Sequence, residues 1–252
     1  MRTIAVAIQK GGTCKTTTAV NLAAVLQKHG RRVLVIDVDP QGNASSYLGV
    51  RDSGRALWEV FAGNNPREEC IRETSSGIAL VPCGKQFASL EKVLVNEVGA
   101  ETILRECLAP IADRFDYTII DCPPSLGLTM ISALVAADDV LIPVVPEVLP
   151  LEGVATFRET LEQVRKRLNP KLNLLGLVVS KADTTKLSRM VEAALRKSFG
   201  AAVFKTAVRK SVRVAESPSH KKPMTMYAPR DNATLDYVAL TTEVLARLEA
   251  AA

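Results

Sequence analysis

Short runs of apolar residues rich in valine and isoleucine recur along the chain, separated by stretches whose apolar positions have helical spacing. Runs of this length are typical of buried strands, and their alternation with helices favours a mostly parallel sheet. We therefore predict an α/β fold, with a twisted, mostly parallel sheet and helices on both faces. The predicted strands cover residues 4–8, 33–36, 78–81, 117–120, 140–145, 174–179 and 203–208.

The first predicted helix lies between the first two strands. In residues 16–29, Val20 and Ala23 fall at helical spacing, and Gly30 ends the pattern. Strand, glycine-rich loop, helix and strand together form a βαβ unit. Residues 51–76 have the least regular pattern, and we expect a loop with short helices there.

The chain has 252 residues, which is long enough for one large domain and short for two, so we predict a single domain over residues 1–252. Hydrophobic residues make up 47% and aromatic residues 4%, which suits helices packed on buried parallel strands. No run approaches the roughly 18 apolar residues of a membrane span. The five cysteines show no C-x-x-C spacing and are expected to be reduced thiols inside the cell.

The formal net charge of +5 matches the excess in one segment, residues 205–222. Six basic side chains occur there against one acidic side chain, Glu216. A solvated charged face is one interpretation of such a segment. Attachment to DNA phosphates without reading of the bases is the other, since it needs only a basic surface.

The loop between the first strand and the first helix reads Q-K-G-G-T-C-K-T-T. It resembles the phosphate-binding pattern G-x-x-x-x-G-K-[ST], although Gln9 and Cys14 replace its two glycines. Backbone N–H groups of residues 11–17 would face the β-phosphate, Lys15 would reach β and γ oxygens, and Thr16 would bind Mg²⁺. A turn that merely joins strand and helix is the alternative, which the K-T-T sequence and the βαβ context disfavour.

Three aspartates follow predicted strands. Asp37 ends the second strand, Asp39 lies just beyond it, and Asp121 follows the strand at 117–120. The carboxyl ends of parallel strands meet at one edge of a sheet, so these carboxylates should face the phosphates. Asp121 has the position of a Walker B carboxylate, which holds the metal through water. A solvated strand end explains any one of them, but three motifs at successive strand ends favour a nucleotide site.

Four motifs together resemble the ParA-type partition ATPases of the deviant Walker A group of P-loop proteins: K-G-G-T-C-K-T-T, D-V-D-P-Q-G-N, D-C-P-P-S-L-G and V-R-V-A-E-S-P-S-H-K-K-P. The similarity covers residues 4–237 and is closest to the small chromosomal form. It implies a slow ATPase that requires ATP and Mg²⁺. It also implies a homodimer that encloses two ATP molecules, in which Lys10 of each subunit reaches the partner's phosphates.

The resemblance places residues in three overlapping sets. Asp39 would activate the hydrolytic water, and the base would lie near residues 208–218. The ATP-binding set is Lys10, Gly11, Gly12, Thr13, Cys14, Lys15, Thr16, Thr17, Val208 and Pro218. The catalytic set is Lys10, Lys15 and Asp39, and the metal-binding set is Thr16, Asp39 and Asp121.

The resemblance further implies that the ATP dimer binds double-stranded DNA without sequence preference and is released on hydrolysis, which a ParB-like partner stimulates. We expect a cytoplasmic, nucleoid-associated protein that does not bind membranes. One DNA-contact arginine of the family falls on Thr185 in this chain, next to Lys186. The expected DNA-binding residues are Lys186, Lys210, Arg213, Lys221 and Lys222.

Three other functions share the loop motifs. A MinD-like membrane regulator would need a basic amphipathic helix at its end, whereas this chain ends in L-T-T-E-V-L-A-R-L-E-A-A-A. An iron–sulfur reductase of the nitrogenase iron-protein type would need a pair of suitably placed thiolates, and buried small side chains explain Cys83 and Cys122 better. ParA-like ATPases that position a cargo other than DNA remain an alternative.

Cys14 stands where the family has glycine. If residue 14 needs a positive φ, its Cβ costs about 1 to 2 kcal/mol. A thiol at a helix N-terminus and next to Lys15 is expected to have a pKa below the roughly 8.5 of free cysteine. Oxidation there would exclude the nucleotide. The alternative is a tolerated substitution whose side chain points into the core.

Overall fold

A single sheet of eight strands organises the computed structural model, which describes residues 1–51, 55–61, 70–147 and 150–250. The strands are β1 (Arg2–Val6), β2 (Val33–Asp37), β3 (Arg72–Glu73), β4 (Ala79–Val81), β5 (Tyr117–Asp121), β6 (Asp139–Val144), β7 (Asn173–Ala182) and β8 (Val203–Arg209). Their order across the sheet is β3-β4-β2-β5-β1-β6-β7-β8. Every neighbouring pair is parallel except β3 and β4, which are antiparallel.

Eleven α-helices occur in the described part of the chain. They are α1 (Lys15–Lys28), α2 (Asn43–Tyr47), α3 (Arg55–Phe61), α4 (Phe87–Leu94), α5 (Ile103–Leu108), α6 (Leu128–Ala136), α7 (Pro150–Arg167), α8 (Lys186–Phe199), α9 (Val212–Glu216), α10 (Met224–Tyr227) and α11 (Asn232–Ala250). Short 3-10 turns occupy Ala109–Arg114, Gly200–Ala202 and Ser217–His220. None of these helices has both the length and the apolar character needed to cross a membrane.

The helices cover both faces of the sheet, which confirms the predicted α/β architecture. Ile4 of β1 belongs to the same core as Leu22 of α1 and Leu240 of α11. The next residue, Ala5, belongs to the opposite core, together with Phe157 of α7. Successive side chains of a strand point to opposite faces, so each strand contributes to both cores.

The predicted strands are all present, although some of their ends differ from the prediction. Strand β1 covers residues 2–6 instead of 4–8, because the buried residues Ala7 and Ile8 already belong to the following loop. The short strand β3 was not predicted, because two exposed residues carry no apolar period. Its region, residues 51–76, also contains α3, while residues 52–54 and 62–69 of that region lie outside the described residues. Strand β7 continues to Ala182, beyond the predicted end at residue 179.

A buried amide closes the carboxyl end of α6. The Asn169 side chain donates from Nδ2 to the carbonyl oxygens of Leu134, Val135 and Ala137, at 3.0, 3.2 and 2.7 Å. The last carbonyls of a helix have no partner within the helix, so they need such donors when they are buried. Asn169 thereby fixes the connection from α6 into β6.

We predict that Asn169→Leu lowers the free energy of unfolding by about 3 kcal/mol, because it leaves buried carbonyls without a donor. Urea denaturation would measure the loss. Asn96→Leu, at an exposed position, is the control and should change stability by less than about 0.5 kcal/mol. Similar losses in the two variants would contradict the capping role.

Candidate nucleotide site

The loop after β1 contains two residues with left-handed backbone. Gly12 has a φ of 74°, Cys14 has a φ of 68° and a ψ of 25°, and α1 begins at the next residue. Glycine adopts this conformation without strain, whereas the Cβ of a cysteine costs about 1 to 2 kcal/mol. Position 14 therefore requires a positive φ, and the strain expected for Cys14 is present.

The two lysines of the loop have different contacts. Lys15 is buried, and its Nζ donates to the Lys10 carbonyl oxygen at 2.7 Å. Burial lowers the pKa of Lys15, and the Asp121 and Asp39 carboxylates oppose that shift. The Lys10 ammonium instead forms an ion pair with Glu147, from Nζ to Oε2 at 3.2 Å. Lys15 thus supports the loop from inside, while Lys10 is partly exposed beside it.

Three carboxylates converge at the carboxyl ends of β2 and β5. Asp37 and Asp121 are register neighbours on these strands, and both are fully buried. Asp37 accepts hydrogen bonds from the backbone N–H groups of Ser45 and Asp39, at 2.8 and 3.2 Å. The Asp39 carboxylate accepts one from the N–H of Gln41 at 2.9 Å. Asp37 therefore holds the turn that carries Asp39 to the edge of the sheet.

Asp121 differs from the other two, because neither of its carboxylate oxygens has a hydrogen-bond partner among the described residues. Burial and the neighbouring Asp37 carboxylate raise the pKa of Asp121 well above its ordinary range. Burial also raises the pKa of Asp37, to about 6. The nearby Thr16 hydroxyl has a smaller effect in the opposite direction and lowers the pKa of Asp121. It does not form a hydrogen bond with either carboxylate oxygen.

A divalent cation would stabilise the ionised form of these carboxylates, because burying a negative charge without a positive partner costs free energy. No group of three or more His, Cys, Asp or Glu side chains that could hold a metal ion occurs among the described residues. Mg²⁺ does not need one, because it typically binds one or two carboxylates together with phosphates and water. The residues present therefore fit Mg²⁺ bound with a phosphate ligand.

An open cavity of about 890 Å³ lies over this edge of the sheet, between the loop and the ends of β7 and β8. Its volume is in the range of small-molecule sites. Lys10 is absent from the lining, and fully buried Asp121 is absent as well. The predicted nucleotide and metal residues that line the cavity are Gly11, Gly12, Thr13, Cys14, Lys15, Thr16, Thr17, Asp39, Val208 and Pro218.

The predicted DNA-binding residues are all exposed and fall in two groups. Lys186 begins α8, Lys210 follows β8, and Arg213 lies in α9, so this group surrounds the carboxyl ends of two neighbouring strands. Lys221 and Lys222 follow the 3-10 turn at Ser217–His220. The structure therefore brings three of the five residues to one edge of the sheet.

In the folded protein, two of the basic side chains in residues 205–222 are paired with acidic side chains. Arg209 forms an ion pair with Asp236 of α11 at 2.7 Å, and Arg213 forms one with Glu216 at 3.2 Å. Asp236 lies outside the segment, so counting charges within it overstated the excess. Lys210, Lys221 and Lys222 form no ion pair with any residue that the structure describes.

Comparisons with known proteins identify the family. A family model described as an AAA domain matches residues 1–174. The chain is 44% identical to the chromosome-partitioning ATPase Soj of Thermus thermophilus, over 100% of this chain and 98% of that protein. It is 39% identical to the chromosome partitioning protein ParA of Myxococcus xanthus, over 98% of this chain and 88% of that protein. The chain belongs to the ParA-type partition ATPase family.

A solved structure shares the ParA-type fold over the same length. It is cobyrinic acid a,c-diamide synthase of Mycobacterium smegmatis with a bound ATP analogue and magnesium. The TM-score is 0.88 at 31% identity, and the match covers 100% of this chain and 97% of that one. The P-loop fold class predicted from the motifs is thereby confirmed.

Several residues of this ParA-type site were not predicted from the sequence. Ser180, Lys181, Glu147 and Tyr237 also line the cavity. Ser180, Lys181 and Glu147 follow the ends of predicted strands, and that position was the available signal. Thr185, at the family's arginine position, instead caps α8, where its Oγ1 accepts from the N–H of Ser188 at 3.2 Å.

Two features bear on the alternatives to a ParA-type function. Cys83 and Cys122 are both 1% exposed, as expected for small core side chains rather than cluster ligands. Helix α11 buries Tyr237, Leu240 and Val244 in the core. Its apolar side therefore packs against the rest of the protein instead of forming an exposed amphipathic surface.

The expected low pKa of the Cys14 thiol is wrong for this structure. Burial raises the pKa of Cys14, and Glu147 adds to the rise. Lys181 and Lys15 lower it but do not outweigh burial. The thiol is half-buried and thus less reactive than its place at a helix N-terminus suggested, which favours a tolerated substitution. Cys14 lines the cavity and belongs to neither core, however, so the expectation that its side chain points into the core is wrong.

We predict that Cys14→Gly is more stable than Cys14→Ala by about 1 kcal/mol, because both lose the thiol but only alanine keeps a Cβ at positive φ. Urea denaturation without nucleotide would measure the difference. The same pair of substitutions at Cys107, which lies in helix α5, is the control. There the order should reverse, since glycine is the poorer helix former. Equal stabilities at residue 14 would contradict the strain.

Proposed function

We propose that residues 1–252 form one ATPase domain that binds ATP and Mg²⁺, hydrolyses ATP slowly and uses this cycle to segregate DNA. The convergence of the phosphate loop, Asp39 and unpartnered Asp121 at one sheet edge is the observation that carries the proposal. Central strand β1 and helix α11, from opposite ends of the chain, join one core, which supports a single domain. The Thermus thermophilus relative is a chromosome-partitioning ATPase.

Each residue of the site has a definite role in this proposal. Lys15 and the loop N–H groups bind the β- and γ-phosphates. Thr16, Asp39 and Asp121, the last through water, would hold Mg²⁺, and the bound ion would neutralise phosphate charge. Asp39 orients the water that attacks the γ-phosphorus as the bond to ADP breaks, and it accepts a proton. Burial raises the pKa of Asp39, which makes its carboxylate a better proton acceptor.

Lys10 is proposed to act on the partner subunit's ATP in a homodimer. Its side chain does not line its own cavity and is held by Glu147, in an exposed ion pair worth at most about 1 kcal/mol. Lys10 can therefore leave Glu147 and bind a phosphate at little cost in free energy. An added Cβ at Gly11 or Gly12 would meet no atom within 4 Å, so the loop face is open to a second chain.

The proposed dimer binds double-stranded DNA without sequence preference through Lys186, Lys210, Arg213, Lys221 and Lys222. Lysine and arginine side chains attach to phosphates without reading bases, and pairing two subunits doubles the number of contacts. Hydrolysis, stimulated by a ParB-like partner, would remove the γ-phosphate that holds the dimer and release it. This function places the protein in the cytoplasm, on the nucleoid and not on a membrane.

Asp39→Ala is expected to bind ATP, to dimerise and to lose turnover, because the nucleotide contacts remain while the group that activates water is absent. Size-exclusion chromatography with ATP and Mg²⁺, together with a phosphate-release assay, would test this expectation. A variant that binds ATP normally but stays monomeric would contradict the sandwich dimer.

Lysine variants serve as matched controls for that experiment. Lys15→Met should abolish nucleotide binding itself. Lys10→Ala should keep ADP affinity within a few-fold and lose ATP-dependent dimerisation, since its charge is delivered in trans. Equal loss of both properties in Lys10→Ala would mean that Lys10 serves its own subunit.

DNA binding by the ATP dimer should weaken with salt, with a slope of log affinity against log salt of about −4 to −7 for two to four contacts per subunit. Arg213→Glu should weaken binding strongly and leave ATP dimerisation intact. Fluorescence anisotropy with two unrelated duplexes would measure both effects. Lys166→Glu, the same charge change at the end of α7, is the control. A salt-insensitive or sequence-selective complex would argue against this function.

A further inference from the structure

Lys181 has an unusual backbone for a residue near the end of a strand. Its φ is 55°, and among the described residues the other non-glycine residues with positive φ are Cys14 and Lys221. The register between β7 and β8 shifts between Ser180 and Ala182, so Lys181 falls at the irregularity. A left-handed residue with a Cβ is strained, and such strain is concentrated at functional sites.

The irregularity directs the Lys181 side chain to the phosphate loop. Its Nζ donates to the carbonyl oxygen of Gly12 at 3.3 Å. The C=O and the following N–H of a trans peptide point in opposite directions. The contact with Gly12 therefore also orients the N–H of Thr13, one of the groups proposed to face the nucleotide.

No acidic side chain among the described residues, 1–51, 55–61, 70–147 and 150–250, neutralises the charge of Lys181 in an ion pair. The Lys181 side chain is exposed. Beside it, Ser180 is 1% exposed, and its hydroxyl has no hydrogen-bond partner in the same ranges. Both residues line the nucleotide cavity. The end of β7 thus brings an exposed ammonium to that cavity, next to a buried hydroxyl without a partner among the described residues.

We propose that Lys181 binds the phosphates of a nucleoside di- or triphosphate in its own subunit, positioned by the irregularity of β7 and by Gly12. The inference rests on the proposed ATP binding and adds a second lysine in cis beside Lys15. The contact of the exposed Lys181 ammonium with the Gly12 carbonyl is long, at 3.3 Å, so on nucleotide binding the ammonium can exchange that carbonyl for a phosphate oxygen. Lys181 contributes affinity in the monomer, whereas Lys10 contributes to dimerisation.

Binding of ADP and ATP with Mg²⁺ to the full chain, measured by calorimetry at low and high potassium chloride, tests the inference. Lys181→Met should weaken both affinities about tenfold at low salt, as expected for loss of one charged hydrogen bond. The deficit should shrink at high salt, because the contact is ionic and its site is open. Lys181→Arg keeps the charge and the donors, and it should stay within about threefold of wild type.

Two further variants separate binding from folding. Lys181→Gly relieves the left-handed strain, so it should melt at a higher temperature than Lys181→Met while binding nucleotide as weakly. Lys197→Met removes an exposed lysine of α8, outside the cavity, and should bind like wild type.

Wild-type affinity in Lys181→Met, or a deficit of equal size at both salt concentrations, would overturn the inference. The wild-type chain and Lys15→Met show whether such a result concerns Lys181 alone or the proposed function as a whole. If the wild-type chain binds neither nucleotide, the proposed function itself fails. If the wild type binds, Lys15→Met does not, and Lys181→Met binds normally, only the role of Lys181 is wrong.

Discussion

The parallel pairing of β5 between β1 and β2 is the constraint on which the rest of the site depends. It places Val6, at the start of the phosphate loop, and Asp37 in register with Asp121. Loop and carboxylates therefore meet at one edge of the sheet. Burial and mutual repulsion disfavour ionisation of these two carboxylates, and the arrangement persists because packed cores on both faces hold the strands. A cation bound with phosphates is the natural complement of that edge.

Backbone strain is concentrated around the same edge. Cys14 and Lys181 both have left-handed φ, and both line the cavity. Neither conformation is favourable by itself, so the surrounding structure must impose it. Regular elements do so: β1 and α1 flank Cys14, and paired β7 and β8 flank Lys181. The flanking strand and helix thus determine the conformation of the loop more than the loop's own residues do. This explains how a cysteine can occupy a position that favours glycine.

The sequence was sufficient to predict those features that depend on residues close together along the chain. Apolar runs predicted the strands, and motifs at strand ends led to Lys15 and Asp39, which do line one cavity. Contacts between distant segments were not predictable in this way. The ion pair of Arg209 with Asp236 joins residues 27 positions apart, and the orientation of Lys181 depends on a local irregularity in strand pairing. The Cys14 pKa was mispredicted because burial, which no motif records, outweighs the neighbouring lysines.

One buried amide on α1 connects the two walls of the cavity. Asn21 donates to the Tyr47 hydroxyl at 3.3 Å and accepts from the N–H of Met224 at 2.8 Å, while the Tyr47 hydroxyl contacts that of Ser217 at 2.5 Å. The segment that carries Pro218 is thereby tied to the helix whose first turn faces the phosphates. The separation of the two walls therefore depends on a buried hydrogen-bond network as well as on the loops. The Asn21 amide limits how far the Pro218 segment can move away from α1.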